Sequence, residues 1–198
     1  MNLRHAATAV IVAAATTTGA LAGAPASAAP QLRPLTAEML RHSGDACTKN
    51  LYIRHNATKK FVVPETSFQG STKNMLRATQ KTTNSRQRFE ICLEPVDGDT
   101  ATKVHGYIRS TAVGQYVRTE PRAKDKLAGM VRAAAPKLGD DTAFVFYFKD
   151  EAGLVALQSA HTGKYLGVET RYPRNAQNMV RAARTQQSRE LFTIYLID

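Results

Sequence analysis

One short phrase recurs three times along this chain, as NMLRAT at 74–79, GMVRAA at 129–134 and NMVRAA at 178–183. Each methionine of the phrase lies 14 residues after an aromatic residue and 13 or 14 residues before a phenylalanine. A branched aliphatic residue precedes each of those aromatic residues by eight positions. In chain order the aligned positions are Ile53, Phe61, Met75 and Phe89, then Ile108, Tyr116, Met130 and Phe144, then Leu157, Tyr165, Met179 and Phe192. The chain therefore contains three repeats of one unit, over residues 51–95, 106–150 and 155–198.

Within each repeat, apolar residues alternate with polar ones as they do in half-buried strands. The pattern predicts four short strands per repeat and twelve in all. Three four-stranded units close into a β-trefoil, an all-β fold in which six strands form a barrel and six form three hairpins that cap one end. Closure leaves few free strand edges. We predict this fold, with pseudo-threefold symmetry, for residues 51–198.

The aligned side chains are predicted to form layers of the core. Three residues are expected to meet in one barrel layer, namely Phe89, Phe144 and Phe192. Three more are expected beneath the hairpins, namely Phe61, Tyr116 and Tyr165. The three repeated methionines would fill the gaps between these aromatic residues, because thioether side chains adapt to irregular spaces.

The first 28 residues are predicted to be a secretory signal peptide. Arg4 gives a positive start, an apolar run of small residues follows, and Ala26-Ser27-Ala28 forms a small-x-small cleavage site. A membrane anchor is the alternative, but the run is short and rich in Gly and Thr. No later stretch approaches the roughly 20 apolar residues that a membrane span needs. We therefore expect a secreted protein whose mature chain begins at Ala29.

Residues 29–50 stand outside the repeats and are predicted to form an N-terminal arm. Within it, TAEMLRHSG at 36–44 is expected to form a short helical turn that Thr36 caps and Gly44 ends. Residues 96–105 are predicted to form a longer connector between the first two repeats.

Two cysteines, Cys47 and Cys92, occur in a chain bound for an oxidising compartment, so we predict one disulfide between them. The bond would fasten the N-terminal arm to the fourth strand of the first repeat. A catalytic thiol is the alternative, and export disfavours it because the compartment promotes oxidation. A structural zinc site would need more ligands at closer spacing. No metal or other cofactor is predicted.

The predicted mature chain is strongly basic. Removing the signal peptide removes one charged residue, Arg4, so Lys and Arg fall from 27 to 26 against 16 Asp and Glu, a net charge of about +10. Such a charge attracts anionic polysaccharides, wall polymers, nucleic acids or membrane surfaces, and it also keeps a protein soluble. Charge alone names no partner, and nucleic acid is not the partner we predict.

Two of the repeats resemble known trefoil families. The third contains GKYL at 163–166 and ELFTI at 190–194, which resemble the fascin-like β-trefoil repeat. The second contains GQYVRTE at 114–120 and DTAF at 141–144, which resemble the arabinofuranose-binding trefoil appended to arabinofuranosidases. Ricin-type lectin trefoils carry Gln-x-Trp, and this chain has no tryptophan. An exported protein with a bacterial-type signal would not meet actin, so the actin bundling of fascins is not carried over.

The arabinofuranose-binding resemblance implies a sugar pocket in the second repeat, around Arg118 and Asp141. These residues match the family's arginine, two after the aromatic residue, and its aspartate, three before the phenylalanine. The family's ligand histidine is replaced in all three repeats, by Pro64, Thr119 and Val168. The implied pocket therefore departs from the family pattern at one of its ligands.

Two basic insertions, PRAKDK at 121–126 and RYPRN at 171–175, lie in the predicted hairpins between second and third strands. Such loops help to form ligand pockets in trefoils, so Arg122, Lys124, Tyr172 and Arg174 are candidate carbohydrate-binding residues. Tyr172 could stack on a sugar face. The alternative is that it is simply an exposed tyrosine.

Three arginines, Arg77, Arg132 and Arg181, occupy the same place in the three repeats. One interpretation is a threefold set of guanidinium groups that grip an anionic sugar, a carboxylate or a phosphate. The interpretation that we favour is that each stem covers apolar surface while the guanidinium bonds a local carbonyl, because packing also recurs with the repeat.

No sequence pattern for catalysis is found. The histidines lack metal-binding spacing, the serines lack a Gly-x-Ser-x-Gly elbow, and the acidic residues are scattered. We predict a secreted, monomeric, non-catalytic module that binds extracellular polysaccharide, including anionic polymers, through pockets on its repeats. Two alternatives are an exported protease inhibitor that inserts an exposed loop and a basic cell-wall or matrix protein held by anionic polymers.

Overall fold

The computed structural model describes residues 31–42, 47–94, 103–120, 122–149, 153–185 and 190–197. The predicted signal peptide, Gly44 and most of the predicted connector lie outside these residues. No helix among them is long and apolar enough to cross a membrane.

Thirteen strands of the described residues belong to one sheet. In chain order they are β1 Leu32–Pro34, β2 Cys47–His55, β3 Lys60–Glu65, β4 Met75–Gln80, β5 Phe89–Leu93, β6 Lys103–Ser110, β7 Gln115–Thr119, β8 Val131–Ala135, β9 Ala143–Phe148, β10 Leu154–Ser159, β11 Tyr165–Glu169, β12 Met179–Arg184 and β13 Leu191–Ile197. An α-helix, α1, spans Ala37–His42. Short 3-10 turns span Gly70–Thr72, Ser85–Gln87, Asp125–Leu127, Asp140–Thr142 and Arg174–Ala176.

Six strands close a barrel. Neighbours pair antiparallel in the order β2, β5, β6, β9, β10 and β13, and β13 pairs with β2 to complete the circle. The other repeat strands form three hairpins, β3 with β4, β7 with β8 and β11 with β12. Repeat 1 is thus β2–β5, repeat 2 is β6–β9 and repeat 3 is β10–β13. This connectivity is a β-trefoil, which confirms the predicted fold class.

The barrel interior holds the main core. Phe89, Phe144 and Phe192 are each at most 1% exposed and belong to one cluster with the inward aliphatic residues of all three repeats. The predicted phenylalanine layer is therefore confirmed. It forms because each closing strand alternates an inward apolar side chain with an outward one.

The methionines occupy a different place from the predicted one. Met75, Met130 and Met179 form their own buried cluster at the hairpin end, and Phe68, Leu127 and Tyr172 pack against it. The prediction that they fill gaps between the barrel aromatic residues is wrong. The hairpins converge there, so three equivalent side chains meet around the pseudo-threefold axis.

The second-strand aromatic residues were also expected beneath the hairpins, and this expectation is wrong. Phe61, Tyr116 and Tyr165 belong to neither core cluster of the described residues. Phe61 pairs across the sheet with Arg54 and Tyr116 with Arg109. Because the residues before these arginines point into the barrel, the aromatic rings lie on the outer side, where Arg54 and Arg109 cover Phe61 and Tyr116.

The repeated phrase forms a ring of hydrogen bonds between repeats. Its first residue has a left-handed backbone in every copy, with φ of 59° at Asn74, 73° at Gly129 and 59° at Asn178. Asn and Gly are the residue types that adopt this conformation most readily. The first-residue carbonyl accepts the amide of the phrase's alanine in the neighbouring repeat, in the bonds Ala133 to Asn74 at 3.0 Å, Ala182 to Gly129 at 2.8 Å and Ala78 to Asn178 at 2.9 Å. The sequence phrase recurs because each copy forms the same backbone hydrogen bond with a copy in a neighbouring repeat.

The N-terminal arm is joined to the barrel at several points. Strand β1 pairs with β13, and Leu35 lies in the barrel core. The Thr36 hydroxyl accepts a hydrogen bond from the Met39 amide at 3.3 Å, so the predicted cap of α1 is confirmed. The predicted disulfide, Cys47–Cys92, is also confirmed.

Two predicted boundaries need correction. Strand β2 begins at Cys47, so the last residues of the predicted arm belong to the barrel. Strand β6 begins at Lys103, so the end of the predicted connector is a strand. In both places the barrel strand is longer than the repeated pattern predicts, because the adjacent strand continues to pair with it. Cys47 pairs with Cys92 of β5, and Lys103 pairs with Tyr147 of β9.

Candidate functional site

A groove of about 910 Å³ lies between repeat 3 and the β2–β3 turn of repeat 1. Two other pockets of the described residues have about half that volume, near 450 and 460 Å³. The groove is lined by His55 and Thr58 from repeat 1 and by Glu169, Arg184 and Glu190, among others, from repeat 3. We refer to it as the repeat 3–1 groove.

His55 forms part of the groove although it is only 3% exposed. Its Nδ1 accepts the Thr58 amide at 3.4 Å and lies 3.0 Å from the Thr58 hydroxyl. Ser110 and Ser159 occupy the same position in repeats 2 and 3, and each hydroxyl accepts the amide three residues on at 3.4 Å. The imidazole therefore replaces a turn-capping serine and adds a second nitrogen. Because Nδ1 accepts, Nε2 carries the proton and donates to Glu190 Oε2 at 3.3 Å.

Glu190 departs from its counterparts in the other repeats. Gln87 and Thr142, two residues before the closing phenylalanines, are fully buried and accept amide hydrogens within their own loops. The Glu190 carboxylate instead accepts from His55 of repeat 1 and from the Val168 amide at 3.1 Å, and it forms an ion pair with Arg184 at 3.4 Å. A carboxylate thus lies where two uncharged capping groups lie elsewhere.

Gly167 makes room for this carboxylate. A β-carbon at Gly167 would lie 2.8 Å from Cδ of Glu190 and 2.9 Å from its Oε2. Repeats 1 and 2 have Val63 and Arg118 at the same position. Glycine at this position therefore allows the close approach of the Glu190 carboxylate, which a β-carbon would displace from its hydrogen-bond partners.

The environment of Glu190 favours its charged form. Burial raises the pKa of the carboxyl, but the hydrogen bonds from His55 and the Val168 amide, together with the positive charge of Arg184, outweigh burial. The net result is a pKa below the ordinary value of 4.5. The groove therefore contains a fixed, ionised acceptor at neutral pH.

This shift predicts how stability depends on pH. Because the pKa of Glu190 is lower in the folded chain than in the unfolded chain, its charge stabilises the fold above about pH 4.5, and this contribution is lost as the pH falls through the folded-state pKa. We expect the difference in free energy of unfolding between wild type and Glu190→Gln to be largest near neutral pH and to shrink below about pH 4.5. Urea titrations across this range measure it.

The matched control for that titration is Glu94→Gln, which alters an exposed glutamate. We expect it to leave the pH profile of wild type unchanged. A wild-type advantage over Glu190→Gln that grew on acidification would contradict the assigned direction of the Glu190 shift.

Guanidinium groups form the rim of the groove. Arg184 is 43% exposed and pairs with Glu169 at 3.2 Å as well as with Glu190. Arg171 lines the groove, is exposed, and makes no ion pair or hydrogen bond with any described residue. The groove thus combines carboxylate acceptors with cationic donors, a set that suits a polar ligand with several hydrogen-bonding groups.

The second-repeat residues implied by the arabinofuranose-binding resemblance do come together. Arg118 Nη1 lies 3.7 Å from Asp141 Oδ2. Arg118 Nε donates to Glu120 Oε1 at 2.7 Å, and its Nη2 lies 2.6 Å from the same oxygen. Thr119, at the family's histidine position, is fully buried, and its hydroxyl has no hydrogen-bond partner in the described part of the chain. Arg118 is thus already bound by two carboxylates of its own repeat.

The repeat-equivalent arginines connect neighbouring hairpins. Each pairs with the glutamate four residues after the second-strand aromatic residue, Arg77 with Glu65, Arg132 with Glu120 and Arg181 with Glu169. Each also donates to a backbone carbonyl of another repeat, Arg77 to Gln177 at 2.8 Å, Arg132 to Ser71 at 3.3 Å and Arg181 to Ala128 at 3.0 Å. Their guanidinium groups therefore contribute to contacts between repeats.

The candidates in the basic insertions do not share one pocket. The Tyr172 ring packs against the methionine cluster, with the Arg181 guanidinium 5.6 Å from its centre, and its hydroxyl accepts from Arg181. Arg122 and Lys124 are exposed beside a cavity of repeat 2. The Arg174 side chain lies outside the described structure.

Sequence reasoning missed the groove residues His55, Gly167, Arg184 and Glu190. The signal that could have revealed three of them is a departure from the repeat, since aligned positions hold serine at His55, valine or arginine at Gly167, and glutamine or threonine at Glu190. The glutamates Glu65, Glu120 and Glu169 were missed although they recur at one aligned position.

The described residues offer one cluster with metal-ligand spacing, formed by Cys47, Glu90 and Cys92. Its two sulfur atoms are joined in the disulfide, so they are not available as thiolates.

The closed six-stranded barrel and its three hairpins define a β-trefoil protein. The SDF2-like protein from Arabidopsis thaliana is similar, with 14% identity and a TM-score of 0.58 over 74% of this chain and 91% of that one. The designed threefold-symmetric protein ThreeFoil has 15% identity and a TM-score of 0.54 over 78% and 99%. The Polyporus squamosus lectin, bound to a human-type influenza-binding epitope, has 12% identity and a TM-score of 0.50 over 74% and 48%.

No family model matches the chain, and no curated protein matches its sequence. At identities this low, the structural likeness shows the fold alone.

Proposed function

We propose that this protein is a secreted, non-catalytic module that binds extracellular carbohydrate, and that the repeat 3–1 groove is its binding site. The observation that carries the proposal is the concentration of departures from threefold symmetry in this groove. His55, Gly167 and Glu190 each differ in chemistry from their aligned counterparts, and all three meet at one carboxylate. The other repeats cap the equivalent turns with uncharged side chains.

The chemistry of the groove suits sugar hydroxyls. Each hydroxyl both donates and accepts, so its recognition is strongest where carboxylates and guanidinium groups converge. Glu169 and Glu190 supply acceptors, while Arg171 and Arg184 supply donors at the rim. The ion pairs of Arg184 at 3.2 and 3.4 Å keep these groups in position before a ligand arrives.

Two further observations support the proposal more weakly. A lectin with a bound glycan epitope is among the proteins of similar fold, which is an argument by fold analogy. The net charge of +11 for the whole chain favours polymers that carry acidic groups. The fascin-like and arabinofuranose-binding resemblances remain hypotheses, and they make arabinan one of the polymers to test.

The test is retention of residues 29–198 on immobilised arabinan, xylan, galactan and anionic wall polymers, each at low and high salt. We expect salt-resistant retention on at least one polymer. For that polymer, Glu190→Gln is expected to weaken binding about tenfold to a hundredfold, because a hydrogen bond to a charged group contributes about 1.5–3 kcal/mol. Gly167→Ala should weaken it as well, since its methyl group would displace the Glu190 carboxylate.

The matched control is Asp141→Asn, which makes the same kind of change in repeat 2. If Asp141→Asn abolished retention and Glu190→Gln did not, the binding site would lie at Arg118 and Asp141 instead. Retention on anionic polymers only, abolished by salt, would instead show a charge-held wall or matrix protein, because counterions compete with such binding. Retention on no polymer would refute the carbohydrate proposal and make protease inhibition the next function to test.

A further inference from the structure

In repeats 1 and 3 an aromatic ring covers the repeat-equivalent arginine. Phe68 and Tyr172 lie seven residues before Met75 and Met179. The guanidinium carbon lies 5.6 Å from the ring centre in both cases, Arg77 over Phe68 and Arg181 over Tyr172. The rings also pack against the methionine cluster. Both repeats therefore contain a guanidinium stacked on an aromatic ring at the edge of the hairpin end.

Repeat 2 lacks this ring. The residue seven positions before Met130 is Ala123. Leu127, where the other repeats have Thr72 and Ala176, restores part of the apolar contact with the methionine cluster. A cavity of about 460 Å³ nevertheless remains, lined by Ala123, Leu127, Met130 and Arg132 among others. We refer to it as the Ala123 cavity.

The Arg132 guanidinium in this cavity is fixed by hydrogen bonds from the N–H groups at its edge. It donates to the Glu120 carboxylate and to the Ser71 carbonyl at 3.3 Å. Edge hydrogen bonds fix the plane of the group, while the described residues place no aromatic ring over its face. A fixed planar cation above an apolar floor is a stacking surface for a ring.

The charges at the mouth of the cavity favour an anion. Arg122 and Lys124 line the cavity, are exposed, and form no ion pair or hydrogen bond with any described residue. Of the two carboxylates that line it, Glu120 is already bound by Arg118 and Arg132, and Asp125 is exposed. Two unpaired cations thus face one unpaired carboxylate.

We propose that the Ala123 cavity binds a planar aromatic ring that carries a carboxylate. The ring takes the place that Phe68 and Tyr172 fill in the other repeats, stacked on Arg132 above Met130. The carboxylate lies between Arg122 and Lys124. A free aryl acid and the C-terminal aromatic residue of a peptide both have this chemistry. The site is separate from the repeat 3–1 groove and does not depend on carbohydrate binding.

The test uses methyl NMR of the mature protein labelled at the methionine methyl groups, because Met130 forms part of the cavity. The probes are benzoate, for the free acid, and N-acetylphenylalanine, for the peptide terminus. We expect one or both to move the Met130 methyl signal by ring current, more than those of Met75 and Met179. The tighter probe identifies the source. Cyclohexanecarboxylate, which has the charge without the aromatic ring, and benzyl alcohol, which has the ring without the charge, should bind at least tenfold more weakly.

The matched variants place the same ring inside and outside the cavity. Ala123→Phe should abolish binding, or weaken it at least tenfold, because its side chain fills the site as Phe68 does in repeat 1. Ala160→Phe, on the exposed turn after β10, should bind the two aromatic acids with the same affinity as wild type. Arg132→Lys, which keeps the charge but loses the planar face, should weaken binding severalfold.

Unchanged binding by Ala123→Phe, or equal affinity for cyclohexanecarboxylate and benzoate, would overturn the proposal. So would the absence of any Met130 shift with both aromatic acids. If Ala123→Phe fails to fold, the comparison of probes and the Arg132→Lys variant decide the question by themselves.

Discussion

Removing the Cys47–Cys92 disulfide is expected to lower the free energy of unfolding by about 4 kcal/mol, which corresponds to a fall of about 10 °C in Tm. The bond joins residues 45 positions apart, so it removes much of the loop entropy of the unfolded chain. It also ties the start of β2 to β5, where the barrel strand extends beyond the repeated pattern. Urea unfolding of Cys47→Ala/Cys92→Ala against wild type measures the loss.

A reductant provides the control for this prediction. Wild type with reductant should unfold at nearly the same urea concentration as the double variant, whereas the variant should not respond to reductant. If reduced and oxidised wild type unfolded at the same urea concentration, the disulfide would not be a source of stability.

Met179→Ala is expected to cost about 2–5 kcal/mol of unfolding free energy, the second large effect. Met179 is fully buried in the cluster with Met75 and Met130, so the substitution leaves a cavity where all three repeats meet. Relaxation is restricted because the ring of amide-to-carbonyl bonds, such as Ala78 to Asn178 at 2.9 Å, holds the hairpins together. Urea titration again measures the loss.

Two variants separate cavity formation from loss of the thioether. Met179→Leu nearly conserves volume and should cost less than about 1.5 kcal/mol. Met39→Ala makes the same truncation on α1, where the side chain is only partly buried, and should cost less than Met179→Ala. A larger loss for Met39→Ala would show that the hairpin-end cluster is not the tightly packed element that we describe.

The pseudo-symmetry of the chain separates scaffold from candidate sites. Positions that hold equivalent residues in every repeat, such as the phrase from Asn74 to Ala78, connect the repeats to each other. Aligned positions that differ in chemistry line two cavities, the repeat 3–1 groove and the Ala123 cavity. At each place one repeat lacks a contact that the other two repeats have: the uncharged cap at Glu190 and the aromatic ring at Ala123. For a trefoil of low identity to known structures, this comparison within the chain is more informative than comparison with fold neighbours.

Part of the candidate site could have been predicted from the sequence. Aligning the repeats shows that His55 replaces a serine, that Glu190 replaces an uncharged residue, and that Ala123 replaces an aromatic residue. The alignment could not show that His55 and Glu190 touch, because they are 135 residues apart and belong to different repeats. Residues singled out for their charge or exposure, such as Tyr172, turned out to lie in separate environments.

The sequence alone determined the three repeats, the four strands of each, the inward phenylalanines and the cysteine pair. These follow from periodicity and from pairing rules that act within one repeat or between neighbouring strands. Tertiary structure alone decided that the methionines form a separate cluster at the hairpin end, that Glu190 of repeat 3 meets His55 of repeat 1, and that Ala123 leaves a cavity. The physical reason is closure, because β13 pairs with β2 only when the barrel is complete, and this pairing brings repeat 3 against repeat 1 at the groove.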